Sequence, residues 1–477
     1  MTSRVEGRSS VIVGLFSNPS ISSVLFQPLE LNSVGSKPCS LLLDQAIKHH
    51  EHGEWDSCRE AALKAREYAW EQLHSGPSWS SVSQVHRGAY GVSGTLVAAA
   101  IFISGEPDSL DKAVYALDLV AMMAGGRFQN VANAFVEAME ADALTKSEPA
   151  ASAGSAQLPS AGGSAASEPQ KGCPLGPCLK KIKRDCSACG GIRRIQMPPL
   201  DVFQKDYMET ATPVILSGVM NGWPAMRASH DWSNSSYIRS VAGRRTVPVE
   251  LGGSYTGEGW RQELMTIGDF IGRFIEPNEE YEHPAESSDS SDERGRARRE
   301  DSEQEGSKQQ GKAVAKNNAK AYLAQHQLFD QIPALRRDIM TPDYCALLLE
   351  DEEDERDAGS VATNAWFGPS GTVSPLHNDP FHNLLAQVVG TKRIMLVDRK
   401  LSAAVYPRPG LMSNTSLVDA ADPDFSEFPR FKEAMPLLEC ELRKGEMLYI
   451  PPLFWHHVEA LSISFSVSFW WGKRRTL

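Results

Sequence analysis

The sequence predicts an α+β chain in which an all-α helical domain precedes a C-terminal jelly roll. Three observations carry that reading. Between Ser40 and Thr145 the apolar residues recur three and four apart, as on one helix face. From about Met197 the texture changes to short apolar runs bounded by turn residues, the pattern of a sandwich or barrel of short strands. The last run, Ser462 to Phe469, sets Ile463, Phe465, Val467 and Phe469 against serines, the period of a strand with one face on a core.

Composition bounds what such a chain does. Its 477 residues are 41% hydrophobic, enough for sizeable cores and against wholesale disorder. A net charge of −12 argues against direct nucleic-acid binding but leaves basic protein partners open. The 8 cysteines are too sparse for a disulfide scaffold, which points to a reducing compartment. No unbroken run of about 18 apolar residues occurs, so no membrane-spanning helix is expected.

Residues 1–38 are expected to be a disordered tail; the apolar run Val11 to Phe16 is too short for a secretory core. Residues 39–146 form the helical domain. Its first block runs through Leu41, Leu42, Ala46, Trp55, Ala61, Ala65, Tyr68 and Leu73. Further blocks follow over 89–103, 109–123 and 128–144, with Gly105–Glu106–Pro107 breaking between two of them. No fixed repeat is visible, so a bundle or short helical array is expected, with protein docking as its default role. Residues 147–195 read as a linker, rich in Ala, Ser, Gly and Pro and then in cysteine. Cys173, Cys178, Cys186 and Cys189 within it could hold zinc, although only Cys186–x–x–Cys189 has the usual spacing. Residues 196–477 form the strand-rich domain. Val214–Leu216, Thr246–Leu251 and Met447–Ile450 read as strands, and Leu384–Val389, Gly390–Thr391 and Arg393–Val397 as strand, turn and strand. A charged insertion at 276–320 is expected to be disordered, and its Arg294, Arg296, Arg298 and Arg299 form a basic patch.

The chemistry lies in Ser374–Pro375–Leu376–His377–Asn378–Asp379. In a strand, His377 and Asp379 point to one side and could grip one metal ion. A histidine after Trp455 offers a third ligand. Two histidines and a carboxylate on one face of a metal leave open positions, as non-haem Fe(II) requires. His456 and His457 are adjacent, so only one can face the metal. His382 stands at an odd offset from Asp379 and falls off the metal face.

Longer stretches around these residues resemble the Jumonji-C (JmjC) family of Fe(II)- and 2-oxoglutarate-dependent oxygenases. They are Tyr322 to Pro333, Asn364 to Pro369, Gly371 to His377 and Phe465 to Trp471, and the resemblance covers about 195–477 apart from the insertion. It implies a cupin-like double-stranded β-helix. It also implies His377, Asp379 and His456 as iron ligands, the last because the ligand directly follows Trp455. Lys392 matches the cation that pairs the distal carboxylate of 2-oxoglutarate, a group costly to bury unpaired. Tyr322 and Ser374 match hydroxyl donors to that carboxylate, and Asn383 a polar neighbour of the co-substrate. Glu250, Tyr255, Gln325, Trp366 and Trp470 look like the residues around a substrate pocket, in which Glu250 would meet a guanidinium. The implied activity is hydroxylation of arginine side chains, with release of succinate and CO2, on histone tails or other basic proteins. Removal of a methyl group from lysine is the alternative, and a catalytically inactive binding module a second one. Nuclear localisation, with some cytoplasmic protein, follows from the resemblance more than from the arginine patch.

Overall fold

The computed structural model describes residues 10–31, 35–75, 82–147, 191–253, 255–257, 259–276, 320–352 and 361–476. The four linker cysteines, the arginine patch and nearly all of the expected insertion lie outside them.

The helical domain holds α1 (Pro19–Leu25), α2 (Lys37–Glu51), α3 (Trp55–His74), α4 (Gln84–Ser104), α5 (Ser109–Ala124) and α6 (Arg127–Ser147). The central helix is α4, buried along most of its length. Small residues let its neighbours approach: a Cβ on Gly91 would lie 2.4 Å from Phe128, and one on Gly94 2.4 Å from Val120. Length and composition alone would let α4 cross a bilayer, although it holds no unbroken apolar run of spanning length. Here that apolarity is spent on the domain core, among Leu96, Val97 and Phe102.

The expected disordered tail is corrected. Residues 10–16 are helical, α1 follows, and Ile12, Phe16, Ile21, Leu25 and Leu31 are buried in the same core. The Ser-rich text hid an apolar face at helical spacing, and Asn18 caps α1 by accepting from the Ser20 amide. The linker also ends earlier than 195, because Ile192 is buried and Arg194 opens a strand.

Among the described residues the second domain has thirteen strands. In chain order they are β1 (Arg194–Gln196), β2 (Val214–Ser217), β3 (Thr246–Leu251), β4 (Arg261–Thr266), β5 (Ala321–His326), β6 (Ala362–Gly368) and β7 (Val373–Asn378). Then follow β8 (His382–Val389), β9 (Thr391–Val397), β10 (Leu438–Arg443), β11 (Glu446–Ile450), β12 (Trp455–Ala460) and β13 (Ser464–Trp471). A nine-stranded sheet runs β1-β2-β11-β8-β13-β6-β5-β3-β4, and a four-stranded sheet β10-β9-β12-β7. Ile215, Leu385, Ile394, Leu396, Leu448, Ile450 and Val458 form one cluster contributed by strands of both sheets. A larger core, with Phe465, Val467 and Phe469, joins the large sheet to Trp223, Trp232, Phe270 and Phe329.

This arrangement explains the alternation of β13. Its apolar residues serve that larger core, and the serines are buried as well. Ser468 accepts from Trp366 Nε1 at 2.9 Å, and Ser466 donates to Gln387 at 2.8 Å. The serine face therefore looks into the barrel and not into solvent.

Candidate metal and co-substrate site

Strands β7 and β12 pair antiparallel with His456 directly opposite His377, and a bulge follows between His456 and Val458. That register brings the two imidazoles together, with centroids 4.1 Å apart and the rings tilted by 50°. Asp379 follows β7, and its Oδ2 lies 3.5 Å from His456 Nε2. One ligand atom from each of His377, Asp379 and His456 lies within 4.8 Å of the others.

Backbone carbonyls aim the donors. His377 Nδ1 donates to the Pro375 carbonyl at 2.7 Å and His456 Nδ1 to the Phe454 carbonyl at 2.9 Å. A ring whose Nδ1 carries the proton keeps a lone pair on Nε2, as a metal ligand must. The loop before β12 is tied to Asp379, since the Leu453 amide donates to the Asp379 carbonyl at 2.8 Å with Leu453 at φ 66°.

Electrostatics favour a cation there. Burial, and then the neighbouring His456, lower the His377 pKa to about 4, so the ring is neutral and ready to ligate. Burial works against ionisation of Asp379, but the His456 hydrogen bond and the two imidazoles outweigh it and hold the carboxyl below its usual range.

Beside the triad lies a small pocket lined by Tyr322, Trp366, Ser374, Asn383 and Lys392 and walled by Leu385, Ile450 and Val458. Lys392 is 1% exposed and donates to the Tyr322 hydroxyl at 3.0 Å. Burial lowers its pKa to about 7. Burial also raises the Tyr322 phenol, so it stays protonated as a donor; Ser374 is its hydrogen-bonding neighbour. The Asn383 Oδ1 is buried with no partner among the described residues. A buried ammonium, two hydroxyls and an amide at one end, with a two-His, one-carboxylate donor set at the other, fit Fe(II) and a dicarboxylic co-substrate.

A wider cleft of ≈ 1180 Å³ opens from this cavity and is lined by Glu250, Tyr255, Gln325, Trp366 and Trp470, the five residues expected around a substrate. Glu250 sits opposite Tyr322 in the β3–β5 pair, and burial raises its pKa against a Trp260 hydrogen bond. The Tyr255 hydroxyl lies 3.3 Å from Thr415 Oγ1. The Trp470 indole N–H is buried and unpartnered among the described residues.

The two other histidines near the motif, His457 and His382, have structural surroundings. His457 is buried opposite Met395, with neither ring nitrogen bonded among the described residues, and burial lowers its pKa to about 4. His382 meets the Tyr449 hydroxyl at 2.7 Å and lies 3.3 Å from the buried Glu352.

Sequence reasoning missed Phe381, Met412, Asn414, Thr415 and Arg474 in the cleft. The Asn414 carbonyl accepts from the Asn378 amide, and Thr415 bridges to His377. No period or motif marks that loop. Arg474 offered one signal, as a cation just beyond the Trp470–Trp471 pair.

Comparison with known proteins gives the same two parts. A cupin-like domain model matches residues 199–476, and a model described as KDM8-like N-terminal ARM repeats matches 50–153. The chain is 35% identical over 415 residues to "Lysine-specific demethylase 8" of Danio rerio, covering 85% of this chain and 86% of that protein. It is 37% identical over 421 residues to "Lysine-specific demethylase JMJ30" of Arabidopsis thaliana, covering 87% and 86%. It is also 37% identical over 297 residues to "Jumonji C domain-containing protein 5" of Drosophila melanogaster, covering 62% and 63%.

Proposed function

The chain belongs to the JmjC family of cupin-like 2-oxoglutarate oxygenases, and from that premise we propose that it hydroxylates arginine side chains of proteins. The observation that carries the substrate is Glu250, a half-buried carboxylate facing the cleft beside Trp366 and Trp470. A carboxylate meets a guanidinium through paired hydrogen bonds, and aromatic faces suit its flat cation.

In this reading His377, Asp379 and His456 hold Fe(II). Lys392, Tyr322 and Ser374 hold the distal carboxylate of 2-oxoglutarate, and Asn383 offers its amide alongside. When bound, the metal and co-substrate supply the oxidation: O2 and 2-oxoglutarate give succinate, CO2 and one oxygen atom for the substrate carbon. The chain's part is positional. The Pro375 and Phe454 carbonyls fix the ligand tautomers, Leu385, Ile450 and Val458 keep water from the cavity, and Glu250 sets which side-chain carbon faces the metal.

A second reading is lysine demethylation by the same oxidation, with a hydroxylated N-methyl group leaving as formaldehyde. The names of two relatives favour it, as do Tyr255, Trp366 and Trp470, whose aromatic faces suit a methylammonium. Histone tails are substrates both readings accommodate, and a nuclear location goes with them. Mass spectrometry of arginine and methyl-lysine peptides after incubation with Fe(II), 2-oxoglutarate and O2 separates the two. One added oxygen on arginine establishes hydroxylation; loss of methyl from lysine replaces it with demethylation. A His377→Ala control must show neither.

A further inference from the structure

The ladder between β3 and β5 is short. Glu250 pairs with Tyr322 and Leu251 with Ala321, the Gly252 amide donates to the Lys320 carbonyl, and among the described residues no pair continues toward Thr246. Continued in that register, the ladder would bring Thr246 opposite His326. Instead β5 is irregular between Leu323 and His326, with Gln325 at φ 48°. The helical domain takes over at the opened end. Asp118 of α5, fully buried, accepts from the Thr246 amide through Oδ2 at 2.7 Å. Its Oδ1 accepts from Arg245 Nε at 2.9 Å and from Gln331 Nε2 at 2.8 Å. Gln331 also donates to the Thr246 carbonyl at 2.8 Å, and its Oε1 lies 2.6 Å from His326 Nε2. Asn133 of α6 adds a second tie, accepting from Arg245 at 3.3 Å and donating to the Asp330 carbonyl at 2.8 Å.

We infer that the helical domain completes the sheet that carries the substrate cleft, with Asp118 as a positioning residue for Gln325 and Glu250. The Thr246 amide and carbonyl, which a longer ladder would satisfy from β5, are satisfied by Asp118 and Gln331. Buried backbone groups require such partners, so the substitution is structural necessity and not ornament. The strands affected are those of the cleft. The metal ligands belong to the β7–β12 pair and Lys392 to β9, all in the other sheet. The Tyr322 side chain is also held from the other sheet, by Lys392. Loosening the hub therefore disturbs substrate more than co-substrate. The inference rests on the cleft being the substrate site.

The test uses the full chain carrying Asp118→Asn, which keeps the side-chain size and removes the charge facing Arg245. Hydrogen exchange should rise about tenfold or more at the amides of 321–326 and 246–251, while those of β9 and β12 stay as in the wild type. The KM for an arginine peptide should rise about tenfold, with substrate-free 2-oxoglutarate turnover unchanged within about twofold. Unchanged exchange at 321–326 would overturn the inference, as would a rise spread evenly over every strand, which marks plain destabilisation. Asn133→Ala leaves the ion pair intact and should give the same pattern more weakly, so the inference stays testable if Asp118→Asn does not fold. If the wild type turns over no arginine peptide, the proposed substrate fails while the exchange pattern still decides the coupling.

Discussion

Lys392 is a buried cation that meets a hydroxyl, Tyr322, and its depressed pKa owes to desolvation alone. Such a group is costly in the free protein and becomes favourable once a carboxylate enters. Lys392→Ala should therefore weaken 2-oxoglutarate binding by about a hundredfold or more, the scale of losing one partner of a buried pair, and leave metal binding by the triad near normal. Calorimetry of each ligand in turn checks it. The pH dependence follows from the same side chain. Its pKa is about 7 in the folded chain against an ordinary 10.5, so between those values the unfolded chain holds the extra proton. Stability of the free protein from this group thus rises with pH across that window. Binding runs the other way. A carboxylate needs the ammonium, so above pH 7 affinity for 2-oxoglutarate should fall, up to about tenfold per pH unit, until the pKa of the complex is reached. An affinity flat from pH 6 to 9 would remove Lys392 as the partner. At this scale the sequence was legible where a motif held neighbours in order, as with His377, Asp379 and Lys392. Thr415 and Arg474 were not legible, because their nearness to the site arises from loop path and not from spacing.

The element that matters most to the co-substrate is the β8–β9 corner, where the chain passes from the large sheet to the small one, with Asn383 on one strand and Lys392 on the other. Its turn rests on Gly390 at φ 76°, where an added Cβ would lie 2.0 Å from the Ile463 carbonyl oxygen. That oxygen is backbone and has no rotamer to yield. Gly390→Ala should destabilise the domain by about 2 kcal/mol or more, from positive φ and overlap together, and should lower the affinity for 2-oxoglutarate as Lys392 shifts. Chemical denaturation and ligand titration of one preparation read both effects. The two strands were plain in the sequence, as two apolar runs about a Gly–Thr turn with Thr391 opening β9, but their parting into different sheets was not. The serine face of β13 was less legible. Alternation shows that two faces differ but not that one is wet, and here the polar face supplies hydroxyls to Trp366 and Gln387. The N-terminal helices were lost for the converse reason: their apolar residues, Ile12, Phe16, Ile21 and Leu25, are spread thinly among serines, and burial comes from packing on α2 to α6.

Across the whole molecule, the hub of Asp118 and Arg245 joins two regions whose textures in the sequence suggested independent units. The ion pair spans 2.7 Å, with the Asp118 side chain 0% and the Arg245 side chain 6% exposed. Nothing in either local sequence distinguishes this aspartate from the solvated acids of neighbouring helices, since its partner stands 127 residues away. The energetics of such a pair make a prediction that an exposed bridge would not. Removing one member leaves the other charged and without water, a loss of about 3–5 kcal/mol, whereas exposed pairs are worth under about 1 kcal/mol. Asp118→Leu and Arg245→Met should each be severely destabilising in the full chain. The double variant removes both charges and should be more stable than the worse single one, although the Thr246 amide and Gln331 still lose their acceptor. That residual loss separates the hub from a simple ion pair. A double variant as stable as the wild type would mean that Asp118 matters for its charge alone; one that costs the sum of the singles would mean the two groups do not act together. Recovery short of the wild type is the outcome expected of a carboxylate that neutralises Arg245 through one oxygen and stands in for a missing strand through the other.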